Sequence, residues 1–340
     1  MPGLKQIVLD ELQHRLGKAT RYIPSNEPDQ ISFYYSGSIK TLCQLRTVVA
    51  IYQIQYFQIP RPKALLGHQN LHRVCQNIQK IRTGYPKQSF QSFTIKAAGR
   101  HSTVFQRLQS EISQQTNLTY QAEEADLVLR IRPATTSSTG WEVLIRVSPR
   151  PLSARSWRVA DMPGALNGTT AAAMIALSKP TPADRFLNIM AGSGTLLIER
   201  LKIGPATQVV GGDISPSALK IAIRNYDAAA LRRSVHLFHL KAEQTPFANG
   251  YFDVICADLP WGQLVGSRSH NRLLYPQILK ECARIASPKA RLVLLTHQIQ
   301  LFDQITTQYK ALWTLKSTLQ VYQGGLHPQI YVFNRTSIHE

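Results

Sequence analysis

Apolar residues along the second half of the chain alternate between two spacings. Short apolar runs, typical of buried strands, are followed by stretches in which apolar residues recur every three or four positions, as on one face of a helix. These segments are 185–189, 196–201, 208–212, 216–230, 235–240, 252–257, 273–286 and 291–296, and two later segments, 316–322 and 329–335, are expected to pair through Gly324 and Gly325. Strands that alternate with helices in this way predict a doubly wound α/β sheet.

The first 150 residues instead predict two small α+β units. Helices are expected at 3–17, 39–46, 68–82 and 103–115, and strands at 31–35, 48–58, 92–96, 127–131 and 141–147. The run Pro60-Arg61-Pro62 is typical of a linker. We therefore expect domains at 1–62 and 63–150, a connecting segment at 151–168, and an α/β domain at 169–340 that opens with a helix at 169–177.

The charge of the chain is strongly basic and unevenly distributed. There are 39 Lys and Arg residues against 20 Asp and Glu, a net charge of +19. No acidic residue lies between Gln30 and Ser110, whereas the basic residues of that window are Lys40, Arg46, Arg61, Lys63, Arg73, Lys80, Arg82, Lys87, Lys96, Arg100 and Arg107. A window of one sign repels itself unless a polyanion is its neighbour, so we expect a nucleic-acid partner. An anionic membrane surface is the weaker alternative, because no amphipathic helix with a basic face is evident.

Cysteines and apolar runs narrow the class of protein further. The four cysteines are Cys43, Cys75, Cys256 and Cys282. None belongs to a C-x-x-C pair, so neither a zinc site nor a disulfide framework is expected. No apolar run is long enough to cross a bilayer, and no apolar signal core stands near the N-terminus. We expect a cytoplasmic protein that binds neither a metal nor a membrane.

A glycine turn follows the first strand of the predicted sheet. Gly192-Ser193-Gly194 lies between the strand at 185–189 and the helix at 196–201. Glycines let a ligand approach the backbone, and the helix N-terminus presents free N–H groups suited to a carboxylate. The next strand is followed by Asp213, an acid at a distance suited to ribose hydroxyls. This pattern fits either a dinucleotide or S-adenosylmethionine, and the dinucleotide alternative lacks its third glycine near Leu197.

A second motif, Asp258-Leu259-Pro260-Trp261-Gly262, follows the strand at 252–257. The lone pair of a nucleobase amine is delocalised into the ring, so an enzyme that methylates the amine must turn the lone pair toward the methyl donor. Asp258 offers an acceptor for one N–H, and the carbonyl of Leu259 or Pro260 offers a second. Trp261 offers a flat surface for the base. Asp-x-Pro is also an ordinary turn sequence and Trp often lies in a core, but the position downstream of a glycine turn favours a functional motif.

Several segments resemble the THUMP-associated RNA methyltransferases. Residues 188–199 are similar to that family's D-P-[FM]-[CA]-G-S-G-T-[LI]-x-I-E signature, and residues 258–262 to its D-[LP]-P-[YFW]-G motif. Residues 93–101 and 127–131 resemble the THUMP module. The resemblance implies a Rossmann-like class I methyltransferase domain that uses S-adenosylmethionine, preceded by a ferredoxin-like domain (1–62) and a THUMP-like RNA-binding domain (63–150).

Within that family the chain is most similar to the tRNA guanine-N2 methyltransferases, which implies methyl transfer to the exocyclic N2 amine of a guanosine in tRNA. The resemblance also implies three groups of site residues. Those expected to hold the amine are Asp258, Leu259, Pro260 and Trp261. Those expected to bind the cofactor are Asn188, Met190, Ala191, Gly192, Ser193, Gly194, Thr195, Asp213, Ile214, Ala242 and Glu243. Those expected to contact RNA are Lys96, Arg100, His101 and Arg107.

Two positions depart from the family's pattern. Asn188 stands where the family usually has Asp, and Lys241 stands where an acid usually accepts from the adenine amino group. A lysine cannot accept a hydrogen bond, although Glu243 lies two residues on. Two alternatives therefore stay open: an amino-methyltransferase that acts on another base or on DNA, and an RNA-binding protein of the same fold with weakened catalysis.

Overall fold

The computed structural model describes residues 2–24, 27, 29–135, 139–262 and 267–336. The chain divides into two compact units, one formed by residues up to 9 together with those from 154 onward, and the other by residues 10–153. Helix α1 (Lys5–Leu16) begins in the first unit and ends in the second.

The unit formed by residues 10–153 contains a two-stranded and a five-stranded sheet. Its elements after α1 are β1 (Thr20–Ile23), β2 (Ser32–Tyr35), α2 (Ile39–Leu42), β3 (Tyr52–Phe57), α3 (His68–Arg82), β4 (Ser92–Lys96), α4 (Thr103–Thr116), β5 (Thr119–Tyr120), β6 (Leu127–Pro133) and β7 (Trp141–Arg146). Strands β1 and β2 form an antiparallel pair, and the larger sheet has the order β3-β7-β6-β4-β5. Apolar side chains of α3 and α4 pack against one face of the larger sheet.

Strand β3 differs from its expected place. The sequence assigns it to a domain ending at residue 62, whereas it pairs with β7 in antiparallel register, from Tyr52 opposite Arg146 to Phe57 opposite Trp141. The prolines explain the difference, because Pro62 begins a short 3-10 turn that leads directly into α3. Pro60-Arg61-Pro62 therefore connects a strand of the five-stranded sheet to a helix that packs on the same sheet.

The other unit is a seven-stranded sheet between two layers of helices. Its elements after the first turns of α1 are α5 (Gly168–Leu177), β8 (Arg185–Met190), α6 (Thr195–Ile203), β9 (Gln208–Asp213), α7 (Pro216–Ala228), β10 (His236–His239), β11 (Phe252–Asp258), α8 (Arg268–Ile285), β12 (Ala286–Thr296), α9 (Ile299–Gln308), β13 (Trp313–Gln320) and β14 (Gln329–Arg335). The strand order is β10-β9-β8-β11-β12-β14-β13, with β14 antiparallel to both of its neighbours. The predicted doubly wound α/β sheet is therefore confirmed.

The sheet buries side chains on both of its faces. Successive residues such as Val254 and Ile255 belong to two separate apolar clusters, one shared with α5, α6 and α7 and the other with α8 and α9. Such burial on both faces is why the strands read as nearly continuous apolar runs. Strand order reverses between β8 and β11, and the carboxyl ends of these two strands carry the glycine turn and the Asp258 motif. Ligands of open α/β sheets bind at such a reversal.

The segment expected to connect domains at 151–168 packs largely within the α/β unit. Trp157 and Leu166 lie in one of its apolar clusters, and the buried Arg155 forms an ion pair with Glu199 of α6 at 2.8 Å. Arg155 also donates to the Gly168 carbonyl at 3.0 Å. Pro151, Pro163 and Gly164 mark turns in this segment, but a buried cation holds it against the helix.

We expect Glu199→Gln to destabilise the protein by about 3–5 kcal/mol, because it leaves the Arg155 guanidinium buried without its counter-charge. Urea denaturation of the full chain measures this loss. A matched control is Asp227→Asn, which breaks the exposed Asp227–Arg232 pair (2.9 Å) and is expected to cost less than about 1 kcal/mol. Equal losses in the two variants would contradict a stabilising role for the buried pair.

Candidate active site

The glycine turn is built around two left-handed backbone positions. Gly192 and Gly194 have φ values of 52° and 82°, and helix α6 begins directly after them at Thr195. A Cβ atom at Gly194 would lie 2.6 Å from the Tyr226 hydroxyl, so no larger residue fits there. The Ala191 N–H donates to the Gly212 carbonyl at 2.7 Å, which fixes the turn against β9. The N-terminus of α6 therefore opens at the carboxyl edge of the sheet.

Asp213 lies beside this turn at the end of β9. Its carboxylate accepts from the Gly192 N–H at 2.7 Å and from the Ser215 N–H at 2.9 Å. Ile214 follows with 57% of its surface exposed, and its carbonyl contacts a ring nitrogen of His239 at 2.9 Å. Asp213 and the exposed Ile214 thus lie beside the glycine turn in the structure, although they are about twenty residues from it in sequence.

The segment after β10 closes the same edge. The Leu240 N–H donates to the Asp213 carbonyl at 3.1 Å. Lys241 is exposed and pairs with Gln244 in an isolated bridge, whereas Ala242 is buried and Glu243 is partly exposed. The segment that contains Ala242 is therefore bonded to the end of β9 through Leu240.

Asn188 of β8 lies opposite Cys256 of β11. Its side chain is buried, and with the amide nitrogen facing two carbonyl oxygens it donates to Cys256 and Met190 at 3.1 Å each. The pairing of β8 with β11 shifts register at this point, from Asn188 opposite Cys256 to Met190 opposite Ala257. The amide therefore bridges the irregularity. A carboxylate in the same orientation would face two acceptors.

Asn225 of α7 is a site residue that the sequence did not indicate. Its fully buried amide oxygen accepts from the Val159 and Ala160 N–H groups at 3.1 and 3.0 Å. Its amide nitrogen donates to the carbonyls of Ala160 and Ser193, both at 3.0 Å. All four bonds are made to backbone, so this one side chain fixes the glycine turn to the segment before α5.

Arg158 lies in that same segment and reaches the start of α6. Its guanidinium donates to Thr195 Oγ1 at 2.9 Å and to the Leu166 carbonyl at 2.6 Å. The exposed Asp161 accepts from it at 3.2 Å. A positive charge therefore stands beside the helix N-terminus, where it adds to the positive end of the helix dipole.

Asp258 ends strand β11 with its carboxyl group in a desolvated position. Burial raises the pKa of Asp258 to about 7, and the hydrogen bond that Trp261 Nε1 donates to Oδ1 at 3.0 Å opposes part of that rise. The Trp261 indole is half-buried, and its ring centroid lies 5.7 Å from that of the His297 ring. The Trp261 backbone carbonyl accepts from Gln298 Nε2 at 2.8 Å. Trp261 is therefore both packed against the protein and bonded to the carboxylate.

The two carbonyls of the motif have different surroundings. Pro260 O accepts from Asn271 Nδ2 at 2.7 Å and from the Tyr275 hydroxyl at 2.6 Å. Tyr275 also bonds to Thr296 at 3.0 Å, and all three of these side chains are fully buried. Among the described residues no donor reaches Leu259 O. The carbonyl with free acceptor capacity is therefore that of Leu259, a choice that the sequence left open.

The glycine turn and the Asp258 motif meet because their strands are neighbours. Ala257 lies opposite Met190, so the residues that follow each strand emerge at the same edge of the sheet.

Within the described parts of the chain, no group of three or more His, Cys, Asp or Glu side chains is arranged to hold a metal ion. In the same parts, no helix is long and apolar enough to span a bilayer.

The four residues expected to contact RNA lie in the other unit, near the start of α4. Glu123 pairs with Lys96 at 3.7 Å and with Arg100 at 3.1 Å. Lys96, and then Arg100, holds the pKa of Glu123 below its usual value. His101 accepts from Arg100 at 3.2 Å, and Arg107 is exposed on α4. This cluster is thus partly neutralised by an acid.

Curated relatives match about half of the chain. The tRNA (guanine(6)-N(2))-methyltransferase THUMP3 of Homo sapiens is 30% identical over 187 residues, which are 51% of this chain and 37% of that protein. The tRNA (guanine(6)-N2)-methyltransferase of Thermus thermophilus is 28% identical over 192 residues, 56% of each chain. The match spans little more than a third of the length of the mammalian relatives.

Solved structures match over nearly the whole chain. TrmN from Thermus thermophilus aligns with a TM-score of 0.74 at 20% identity, covering 98% of this chain and 97% of that one. SMU.472, in a structure that contains SAH, aligns with a TM-score of 0.65 at 16% identity over 99% and 97% of the two chains. At these identities the likeness shows the fold.

A family model covers the unit that carries the glycine turn and the Asp258 motif. It begins at Arg155, one residue after the boundary that the contacts within the chain define. The matched residues, 155–329, are more than half of the chain, which therefore belongs to the family of the RMKL-like methyltransferase domain.

Proposed function

We propose that this protein transfers a methyl group from S-adenosylmethionine to the exocyclic N2 amine of a guanosine in tRNA. The observation that carries the proposal is the adjacency of the glycine turn and the Asp258 motif at one edge of the sheet. The names of the human and Thermus thermophilus relatives support the choice of guanine N2 and of tRNA. The SAH in the structural neighbour supports the choice of cofactor.

The residues at the carboxyl edge fit S-adenosylmethionine. At Gly192 the space that a Cβ atom would fill is open, with Met162 Sδ 4.0 Å away as its nearest neighbour, so a ligand can approach the backbone there closely. The N-terminus of α6, with Arg158 beside it, would bind the methionine carboxylate. Asp213 would accept from the ribose hydroxyls, and Ile214 would contact the adenine. When bound, the cofactor supplies a methyl group made electrophilic by a positively charged sulfur.

Two acceptors would orient the target amine. Asp258 Oδ1 is already bonded to Trp261, which leaves Oδ2 for one N–H of the amine. Leu259 O would accept the other N–H, since Pro260 O is held by Asn271 and Tyr275. With both protons held, the amine lone pair points out of the ring plane toward the methyl donor. Catalysis then comes mainly from positioning, with Asp258 as the local proton acceptor.

Asn188 gives no reason to infer a weakened enzyme. Its amide nitrogen donates to the carbonyls of Cys256 and Met190, so the amide is suited to the bridge between β8 and β11. We propose that Asn188 is a positioning residue that keeps the ends of the two strands in register. Of the two positions that depart from the family's sequence pattern, Lys241 is then the one that bears on cofactor affinity.

We expect Asp258→Asn to lower the rate of methyl transfer by about 100-fold or more, because the amide cannot take a proton from the amine. The assay is transfer of labelled methyl groups to tRNA, followed by mass spectrometry of the nucleosides. Asp227→Asn, an exposed change on α7, is the control. N2-methylguanosine is the expected product. Another methylated base would favour an amino-methyltransferase that acts on a different base. Cofactor binding without any product would favour an RNA-binding protein with weakened catalysis.

The pKa of about 7 for Asp258 predicts two effects of pH. The rate at low substrate should fall as pH drops through about 7, because the carboxylate is the accepting form. The folded state also holds this proton over a pH range in which the unfolded chain, with an Asp pKa of about 3.9, has lost it. Stability should therefore fall as pH rises from about 4 to about 7. The free energy of unfolding of Asp258→Asn, measured by urea denaturation, should lack this part of the dependence on pH. An identical dependence in wild type and variant would contradict the raised pKa.

Lys241→Asp should tighten cofactor binding by up to about tenfold, because an acid accepts from the adenine amino group where lysine cannot. The exposure of Lys241 sets this modest limit. Calorimetric titration of the cofactor measures the change, and Lys289→Asp, an exposed substitution at the far end of β12, controls for charge alone. Unchanged affinity in Lys241→Asp would place Lys241 outside the adenine site.

A further inference from the structure

The end of strand β12 lies beside the Asp258 motif. Parallel pairing places Asp258 opposite Leu295, and the Leu259 N–H donates to the Leu295 carbonyl at 2.9 Å. The three residues that follow Leu295 are Thr296, His297 and Gln298. These residues therefore emerge at the same edge of the sheet as the Asp258 motif.

Two of the three residues have polar partners that tie them to the motif. Thr296 Oγ1 bonds to the Tyr275 hydroxyl at 3.0 Å, and that hydroxyl donates to a carbonyl of the motif at 2.6 Å. Gln298 Nε2 donates to the Trp261 carbonyl at 2.8 Å, and the Gln298 N–H donates to Thr296 Oγ1 at 3.0 Å. The backbone on both sides of His297 is therefore fixed relative to the motif.

His297 differs from its two neighbours because its side chain has no polar partner among the described residues. The imidazole is partly exposed and contacts the Trp261 indole, with the two ring planes inclined by 34°. At this inclination the imidazole does not continue the flat surface of the indole. The part of the chain that the structure describes thus leaves both ring nitrogens of His297 available to a base that lies on the indole.

The groups that would orient the target amine are both acceptors. Asp258 and the Leu259 carbonyl would hold the amine of any purine that carries one at this position, so they do not by themselves select guanine. Guanine also carries a carbonyl oxygen, O6, where adenine carries an amine. A neutral imidazole has one N–H, which can donate to such an oxygen. Proteins read unstacked bases by hydrogen bonds of this kind to their edges.

We propose that His297 selects guanine as the methyl acceptor, through a hydrogen bond from its imidazole to the edge of the base that carries O6. This inference rests on the proposed function, which places the target amine between Asp258 and Leu259 O. His297 is then a specificity-determining residue, because a site that donates to an oxygen loses that bond when the oxygen is missing. Trp261 supplies the surface on which the base lies, and His297 reads its edge.

The experiment uses the full chain and two forms of one tRNA. In the second form, 2-aminopurine riboside replaces the guanosine that the wild-type protein methylates, as located by mass spectrometry. That base keeps the amine and carries hydrogen in place of O6. Wild type should prefer guanosine by about tenfold or more in kcat/KM. His297→Phe should lose this preference, because it slows methylation of guanosine and leaves that of 2-aminopurine unchanged.

His297→Phe keeps a ring against Trp261, so it separates hydrogen bonding from packing. The matched control is His236→Ala, which removes an exposed histidine at the start of β10, at the opposite edge of the sheet. Thermal unfolding verifies that each variant is folded, and calorimetric titration of S-adenosylhomocysteine verifies that the cofactor site is intact.

A guanosine preference that is absent in wild type or retained in His297→Phe would overturn the inference. Equal slowing of both tRNAs in His297→Phe would overturn it as well, because His297 would then act only through Trp261. These outcomes leave the proposed function standing. A wild-type chain that forms no N2-methylguanosine would instead overturn the proposed function, and this inference with it.

Discussion

The pairing of β8 with β11 is the constraint on which the candidate site depends. These parallel strands are neighbours where the order of the sheet reverses, so the residues after each strand emerge at one edge. The register shifts by one residue near that edge, and the buried Asn188 amide bridges the irregularity. The glycine turn and the Asp258 motif thereby lie next to each other, although they are some seventy residues apart in sequence.

Buried polar side chains from other elements then fix the loops at this edge. Asn225 makes four hydrogen bonds to the backbone of the glycine turn and of the segment before α5. Asn271 and Tyr275 of α8 hold the Pro260 carbonyl from the opposite layer. Because an unmade buried hydrogen bond is costly, these contacts leave each loop little freedom. The site is preorganised by helices on both faces of the sheet.

The two units differ in the charges that they carry. In the α/β unit a desolvated carboxyl group, Asp258, stands near a sheet edge that carries Arg158 and a helix N-terminus. In residues 10–153, basic residues outnumber acids, and Glu123 neutralises only part of the charge of Lys96 and Arg100. An excess of one charge is tolerated where a polyanion binds, and the binding is then sensitive to salt.

The sequence by itself determined the α/β alternation, the glycine turn, the Asp258 motif and the basic character of the first half, because period, glycine and charge are properties of a short stretch of chain. It missed β1, β5 and α9, and assigned β3 to a separate domain, because pairing partners are not local. It also did not indicate Arg158 or Asn225. Asn225 reaches Ser193 and Ala160, which are 32 and 65 residues away. Only the tertiary structure decided these contacts and the choice of Leu259 over Pro260 as the free carbonyl, because a buried polar side chain acquires its role from partners that meet it after folding.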